Sequence, residues 1–120
     1  KQFSFFENYN DFFINPVETP NVLTGWLAFP ILIKKHSPFK RKDFQIFLEK
    51  NNIQTRVIFT GNILKQPMSK NIKKKVSKAG YPNADYVMES GVLLPLHHGM
   101  TNDMFSRLHS VIENFLKKFT

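Results

Sequence analysis

Three short apolar runs, WLAFPILIK (26–34), QTRVIFT (54–60) and GVLLPL (91–96), set the strongest limit on how this chain can fold. Short runs of β-branched, aromatic and aliphatic residues bounded by turn-forming residues read as strands. Pro30 inside the first of them demands an edge position or a bulge, because proline donates nothing to a sheet ladder. In the second, Thr55, Val57 and Phe59 are expected on one face, with Arg56, Ile58 and Thr60 on the other. The intervening stretches have helical spacing. Ser37-Pro38 reads as N-cap and first helical residue of a helix over 39–51, with Phe44, Phe47 and Leu48 on one face and Asn51-Asn52 closing it. Thr101 caps a second helix to about Lys118, whose apolar stripe is Met104, Leu108, Val111 and Phe115, widened by Phe105, Ile112 and Leu116. Asp103 in its first turn and Lys117-Lys118 in its last suit the helix dipole. A shorter helix is expected over 84–90. The order predicts an α+β fold: a small sheet of about three mainly antiparallel strands, covered on one face by two longer helices.

Length and composition bound the rest. The 120 residues allow one domain with a modest core, and 42% hydrophobic residues with thirteen phenylalanines imply a folded one. Without cysteine there is neither a disulfide nor a thiolate metal site. No apolar run approaches the roughly 18 residues that span a bilayer, and no signal peptide is visible, so the cytoplasm is the simplest compartment. The chain starts at Lys1, within a polar-aromatic run (1–15) of ambiguous periodicity, as a piece of a longer protein would; Pro16 and Pro20 mark a loop after it.

A net charge of +8 and a pI near 9.8 raise the question of nucleic acid. Five of the lysines sit in KNIKKKVSK (70–78), whereas arginine, the better residue for bidentate recognition, numbers three against fourteen lysines. With no zinc-finger spacing and no aromatic RNA-binding signature, a solvated lysine-rich segment outweighs a nucleic-acid site.

Chemistry is sparse. There is no GxSxG elbow, no phosphate-binding or dinucleotide glycine fingerprint, and no metal-ligand spacing around His36, His97, His98 or His109. Carboxylates such as Asp43, Glu49, Asp85 and Glu89 are scattered over expected helix surfaces. No catalytic residue is assigned. The stretch TRVIFTGNILKQP (55–67) is the exception: a strand ends at Gly61-Asn62 and opens into a polar loop closed by Gln66-Pro67. A turn with a surface arginine accounts for it structurally. Functionally, Arg56, Asn62 and Gln66 would overhang a site for something anionic, with His97, on the loop after the third strand, a further candidate.

Several elements in order then carry a resemblance: Trp26 with Phe29-Pro30-Ile31, Arg41, Leu48-Glu49, Ile53, Thr55-Arg56, Phe59 with Gly61-Asn62 and Gln66-Pro67, Asn83-Ala84-Asp85, and HHGMT (97–101). Over about residues 25–118 the chain resembles the C-terminal domain of the sugar aminotransferase and dehydrase family, enzymes of the aspartate-aminotransferase fold that depend on pyridoxal phosphate. The GN…QP element resembles the branch of 3-dehydrases acting on CDP-6-deoxy-4-hexulose and related nucleotide sugars in lipopolysaccharide and deoxysugar biosynthesis. The resemblance implies that residues 1–24 are a connector or partial helix from a large N-terminal domain and 25–120 the small C-terminal domain. It also implies that the large domain holds the pyridoxal or pyridoxamine phosphate, that the parent is a homodimer, and that an iron–sulfur reductase assists some dehydrases. The small domain would line the substrate cleft through Arg56, Asn62, Gln66 and His97, and be inactive alone. The aromatic start (Phe3, Phe5, Phe6, Phe12, Phe13) would belong to an exposed apolar surface that meets the rest of the enzyme.

Two departures bear on the reaction. Gly25 stands where dehydrases often have serine, and LLPLHHGMT (93–101) is closer to the aminotransferase pattern. Dehydration at C3 ranks first and transamination second, with a basic nucleic-acid-binding module as the reading from another class.

Overall fold

The computed structural model describes residues 1–120. In chain order it contains α1 (Gln2–Glu7), β1 (Phe13–Ile14), β2 (Phe29–Ile33), α2 (Arg41–Lys50), β3 (Arg56–Val57), α3 (Pro82–Ser90), β4 (Gly91–Leu94) and α4 (Asn102–Leu116). Two 3₁₀ turns, Ile63–Lys65 and Pro67–Asn71, lie between β3 and α3. The strands form one fully antiparallel sheet in the order β1-β2-β4-β3. The α+β architecture matches the expectation, with a fourth strand added.

That strand comes from the aromatic start. Phe13 pairs with Ile33 and Ile14 with Leu32. Two residues carry no period, so only the partner defines them as a strand. Along β2, Phe29, Ile31 and Ile33 are buried while Pro30 and Leu32 are half-buried, the alternation of a sheet with one face on the core. Pro30 lies opposite Leu93 of β4, beyond the point where β1 stops pairing. On that flank the strand is already open, so an interior strand accommodates its proline there.

The aromatic start is not an exposed surface. Phe5, Phe6 and Phe13 are buried, and Phe3 and Phe12 pack against the same core. Phe6 contacts Phe13 edge-on and stacks on Phe29; Phe13 meets Phe44, and Phe44 meets Phe115. These rings join α1, β1, β2, α2 and α4 into one aromatic spine, each pair adding about 0.5–1.5 kcal/mol beyond its buried area. Helix α1 therefore joins α2 and α4 on the core side.

Other boundaries shift for local reasons. Helix α2 begins at Arg41, not beside Ser37-Pro38, because the Ser37 hydroxyl donates to the Phe12 carbonyl at 2.8 Å and ties the loop to the end of β1. Asp43 instead accepts from the Lys40 backbone N–H at 3.1 Å, and Asn52 closes the helix with φ 59°. Helix α4 starts where expected: Thr101 Oγ1 accepts the Met104 N–H at 3.3 Å. Leu108, Val111, Ile112, Phe115 and Leu116 are buried, but Met104, in the first turn, faces solvent. Helix α3 starts two residues earlier than expected, at Pro82, a residue suited to the first helical position.

Candidate functional site

The second predicted strand survives only as Arg56 and Val57, paired with Leu93 and Val92 at the edge of the sheet. Both are exposed, so the expected alternation through Thr60 is not realised. The chain turns away at Phe59, whose φ of 46° places it in the left-handed region. A phenylalanine there is a strained exception, and its ring is 84% exposed. Gly61 follows with φ 61°; a Cβ at this position would lie 2.2 Å from the Met88 Cβ. Only glycine fits.

On the other side, β4 runs out into Pro95-Leu96-His97. Together these segments enclose an open groove of about 880 Å³ whose lining includes Arg56, Phe59, Leu27, Leu96 and His97. Leu27 is 92% exposed, so the groove has a large apolar wall with one guanidinium and one imidazole set into it. His97 Nδ1 accepts the Gly99 N–H at 3.1 Å, which leaves the proton of a neutral ring on Nε2. His98 lies beside it, edge to face at 6.3 Å.

The other two predicted residues lie elsewhere. Asn62 is 7% exposed, and its amide works inside the loop. Its Oδ1 accepts the Leu64 N–H at 3.0 Å and its Nδ2 donates to Asp85 Oδ1 at 2.7 Å. Gln66 Nε2 donates to the Thr60 carbonyl at 2.9 Å, bracing the loop across its mouth. Gln66 lines a smaller recess of about 130 Å³ behind the groove, with Arg41, Gly61 and Met88. Arg41, on α2, donates to the Met88 carbonyl at 2.8 Å, satisfying an end carbonyl of α3. The structure thus brings Arg56 and His97 together and makes Asn62 and Gln66 the frame of the loop beside them.

Two contributors, both in the motifs that carry the family resemblance, were not among the site residues expected from sequence. Phe59 had a signal, an aromatic residue just before a Gly-Asn turn; its exposure depends on the left-handed backbone. Asp85 reads as one more helix-surface carboxylate. Here the Asn62 amide, and after it the Lys65 ammonium 3.0 Å away, hold its carboxyl below the ordinary value of 3.8. The groove lining contains no lysine for a Schiff base and no carboxylate to pair a pyridinium nitrogen, so these residues do not by themselves fit pyridoxal phosphate. No three or more His, Asp or Glu side chains cluster to hold a metal ion. No helix is long and apolar enough to cross a membrane.

Residues 4–113 match the model of the DegT/DnrJ/EryC1/StrS aminotransferase family. A dTDP-4-dehydro-2,6-dideoxy-D-glucose 3-dehydratase from Saccharopolyspora spinosa is 31% identical over 103 residues, 86% of this chain and 22% of that protein. Lipopolysaccharide biosynthesis protein RfbH of Salmonella typhimurium is 28% identical over 109 residues, 91% of this chain and 25% of that protein. Among solved structures, E. coli GDP-4-keto-6-deoxy-D-mannose-3-dehydratase with bound hydrated PLP superposes with a TM-score of 0.77 at 27% identity, over 92% of this chain and 28% of that one. An aminotransferase of the same family from Brucella abortus, 17% identical, shares the fold with a TM-score of 0.75 over 93% of this chain and 28% of that one. The chain spans about a quarter of the length of the relatives it matches.

Proposed function

Because the chain belongs to the DegT/DnrJ/EryC1/StrS aminotransferase family, we propose that it is the small C-terminal domain of a nucleotide-sugar 3-dehydrase of lipopolysaccharide or deoxysugar biosynthesis. Residues 1–24 are the connector from a large N-terminal domain, with its first half packed into the small domain's core, and residues 25–120 are the domain proper. The observation that carries this reading is the likeness to a sugar 3-dehydratase at 27% identity across 92% of the chain, alongside a family match over residues 4–113, a range that includes the edge strand, the GN…QP loop and the HHGMT segment.

In this reading the groove faces the large domain and forms one wall of the substrate cleft. Arg56 supplies charge-assisted hydrogen bonds to a diphosphate or carboxylate. His97 presents Nε2–H as a second donor. Phe59 and Leu27 form an apolar rim that is covered when the cleft is complete and keeps water from the charged contacts. Asn62 and Gln66 serve the site by shaping its loop. Pyridoxamine phosphate, held by the large domain, supplies the electron sink for loss of the sugar 3-hydroxyl. The parent is a homodimer, and an iron–sulfur reductase is its electron source where the reaction needs one.

Transamination by the same fold is the second reading, favoured by the aminotransferase-like LLPLHHGMT segment (93–101). The coding sequence upstream separates the two. A histidine at the cofactor-reactive position supports dehydration, and a lysine supports transamination. An upstream region without a cofactor-binding domain would sink both.

A further inference from the structure

β3 has only two ladder residues, Arg56 and Val57, so the sheet alone cannot place the wall of the groove that they begin. The chain beyond them is seated on α3 and the start of β4. Ile58 packs against Gly91, where an added Cβ would come within 2.7 Å of the Ile58 Cδ1. Gly61 lies flat on Met88. One turn earlier on the same helix, Asp85 accepts from Asn62 Nδ2 at 2.7 Å and pairs with Lys65 Nζ at 3.0 Å, the only lysine– or arginine–carboxylate ion pair in the chain. Asn62 is buried, and its other amide atom orders the first 3₁₀ turn through the Leu64 N–H. A buried amide must find partners, so removing its acceptor favours an opened loop.

We propose that Asp85 is the positioning residue of this site: through Asn62 and Lys65 it clamps residues 58–66 to α3 and thereby holds the Arg56–Phe59 wall of the groove in place. That the wall faces substrate rests on the function proposed above; the clamp itself does not.

A donor–acceptor swap tests it. Asn62→Asp sets a second carboxylate against Asp85 and breaks the link. In the double variant Asn62→Asp/Asp85→Asn, the carboxylate at position 62 still accepts the Leu64 N–H and now also accepts from the amide at position 85, so the link between 62 and 85 is restored with its direction reversed. Amide hydrogen exchange and residual dipolar couplings are measured by NMR on the chain. In the single variant, exchange at Leu64, Lys65 and Gln66 is expected to speed by about tenfold or more while Ile31 and Val92 keep their protection. The couplings at Arg56, Val57 and Gly61 should depart from the folded orientation. The double variant should return both sets of values towards wild type, and Asp85→Asn alone should loosen the loop less than Asn62→Asp. Loop exchange and orientation unchanged in the single variant would overturn the proposal. So would a double variant no better than the single, including one in which the core stays unprotected. Arg56→Ala should leave the loop's exchange unaltered; its effect on substrate binding bears on the functional reading alone.

Discussion

His109 stacks on Phe5 with ring centroids 3.9 Å apart and 6° from parallel, and donates Nε2–H to Gln2 Oε1 at 2.9 Å. Burial pushes its imidazole below the ordinary 6.5, against an opposing pull from Glu113. A lowered histidine pKa means the unfolded chain binds the proton more readily, so this residue's contribution is fully present above pH 6.5 and is lost as pH falls through the folded value. Urea unfolding from about pH 7.5 to about pH 5 should show a smaller loss of stability in His109→Gln than in wild type. Asp85 has the same sign at a lower range: its link to Asn62 and Lys65 persists down to pH 3.8 and is lost only as pH falls through its depressed value. For Arg56, losing charge-assisted hydrogen bonds of about 1.5–3 kcal/mol predicts that Arg56→Ala in the parent enzyme lowers kcat/KM for the nucleotide sugar by about ten- to a hundred-fold, chiefly through KM. A wild-type KM in that variant would remove Arg56 from the substrate side.

At the scale of elements, the helix ends show what local sequence decides. Thr101 caps α4 within three residues of itself, a relationship already written in the chain. Ser37 has equally good cap chemistry, yet its hydroxyl is used by the Phe12 carbonyl, a partner 25 residues away. The Gly-Asn loop is mixed. Its turn was legible, but not that Asn62 turns inward to Asp85, because a buried asparagine and a solvent-facing one look alike in sequence. Gly61→Ala should be strongly local in cause and global in effect. It faces both a left-handed φ and a Cβ placed 2.2 Å from Met88, so a loss of at least about 1–3 kcal/mol is expected in denaturant unfolding. A variant as stable as wild type would mean that the loop does not sit on α3.

Across the whole molecule, the aromatic spine from α1 to α4 sets stability, and the groove contributes little. Phe44 is fully buried between Phe13, Phe39 and Phe115, and Phe44→Ala should cost about 3–5 kcal/mol by denaturant unfolding, a large share of what a domain of this size has. The lysine-rich segment 70–78 is exposed throughout and takes no part in this core; Lys74 donates to the carbonyl of buried Ser69 just before it. By itself the sequence determined the α+β class, both long helices and the family, because periodicity, capping and ordered motifs are local or need only spacing. Tertiary structure alone decided that Phe5, Phe6 and Phe13 of the aromatic start are core, that a two-residue strand closes the sheet, and that Asn62 braces the loop beside the groove. Those outcomes depend on which distant group satisfies each buried ring or amide, and no residue's nearest neighbours in the chain specify that.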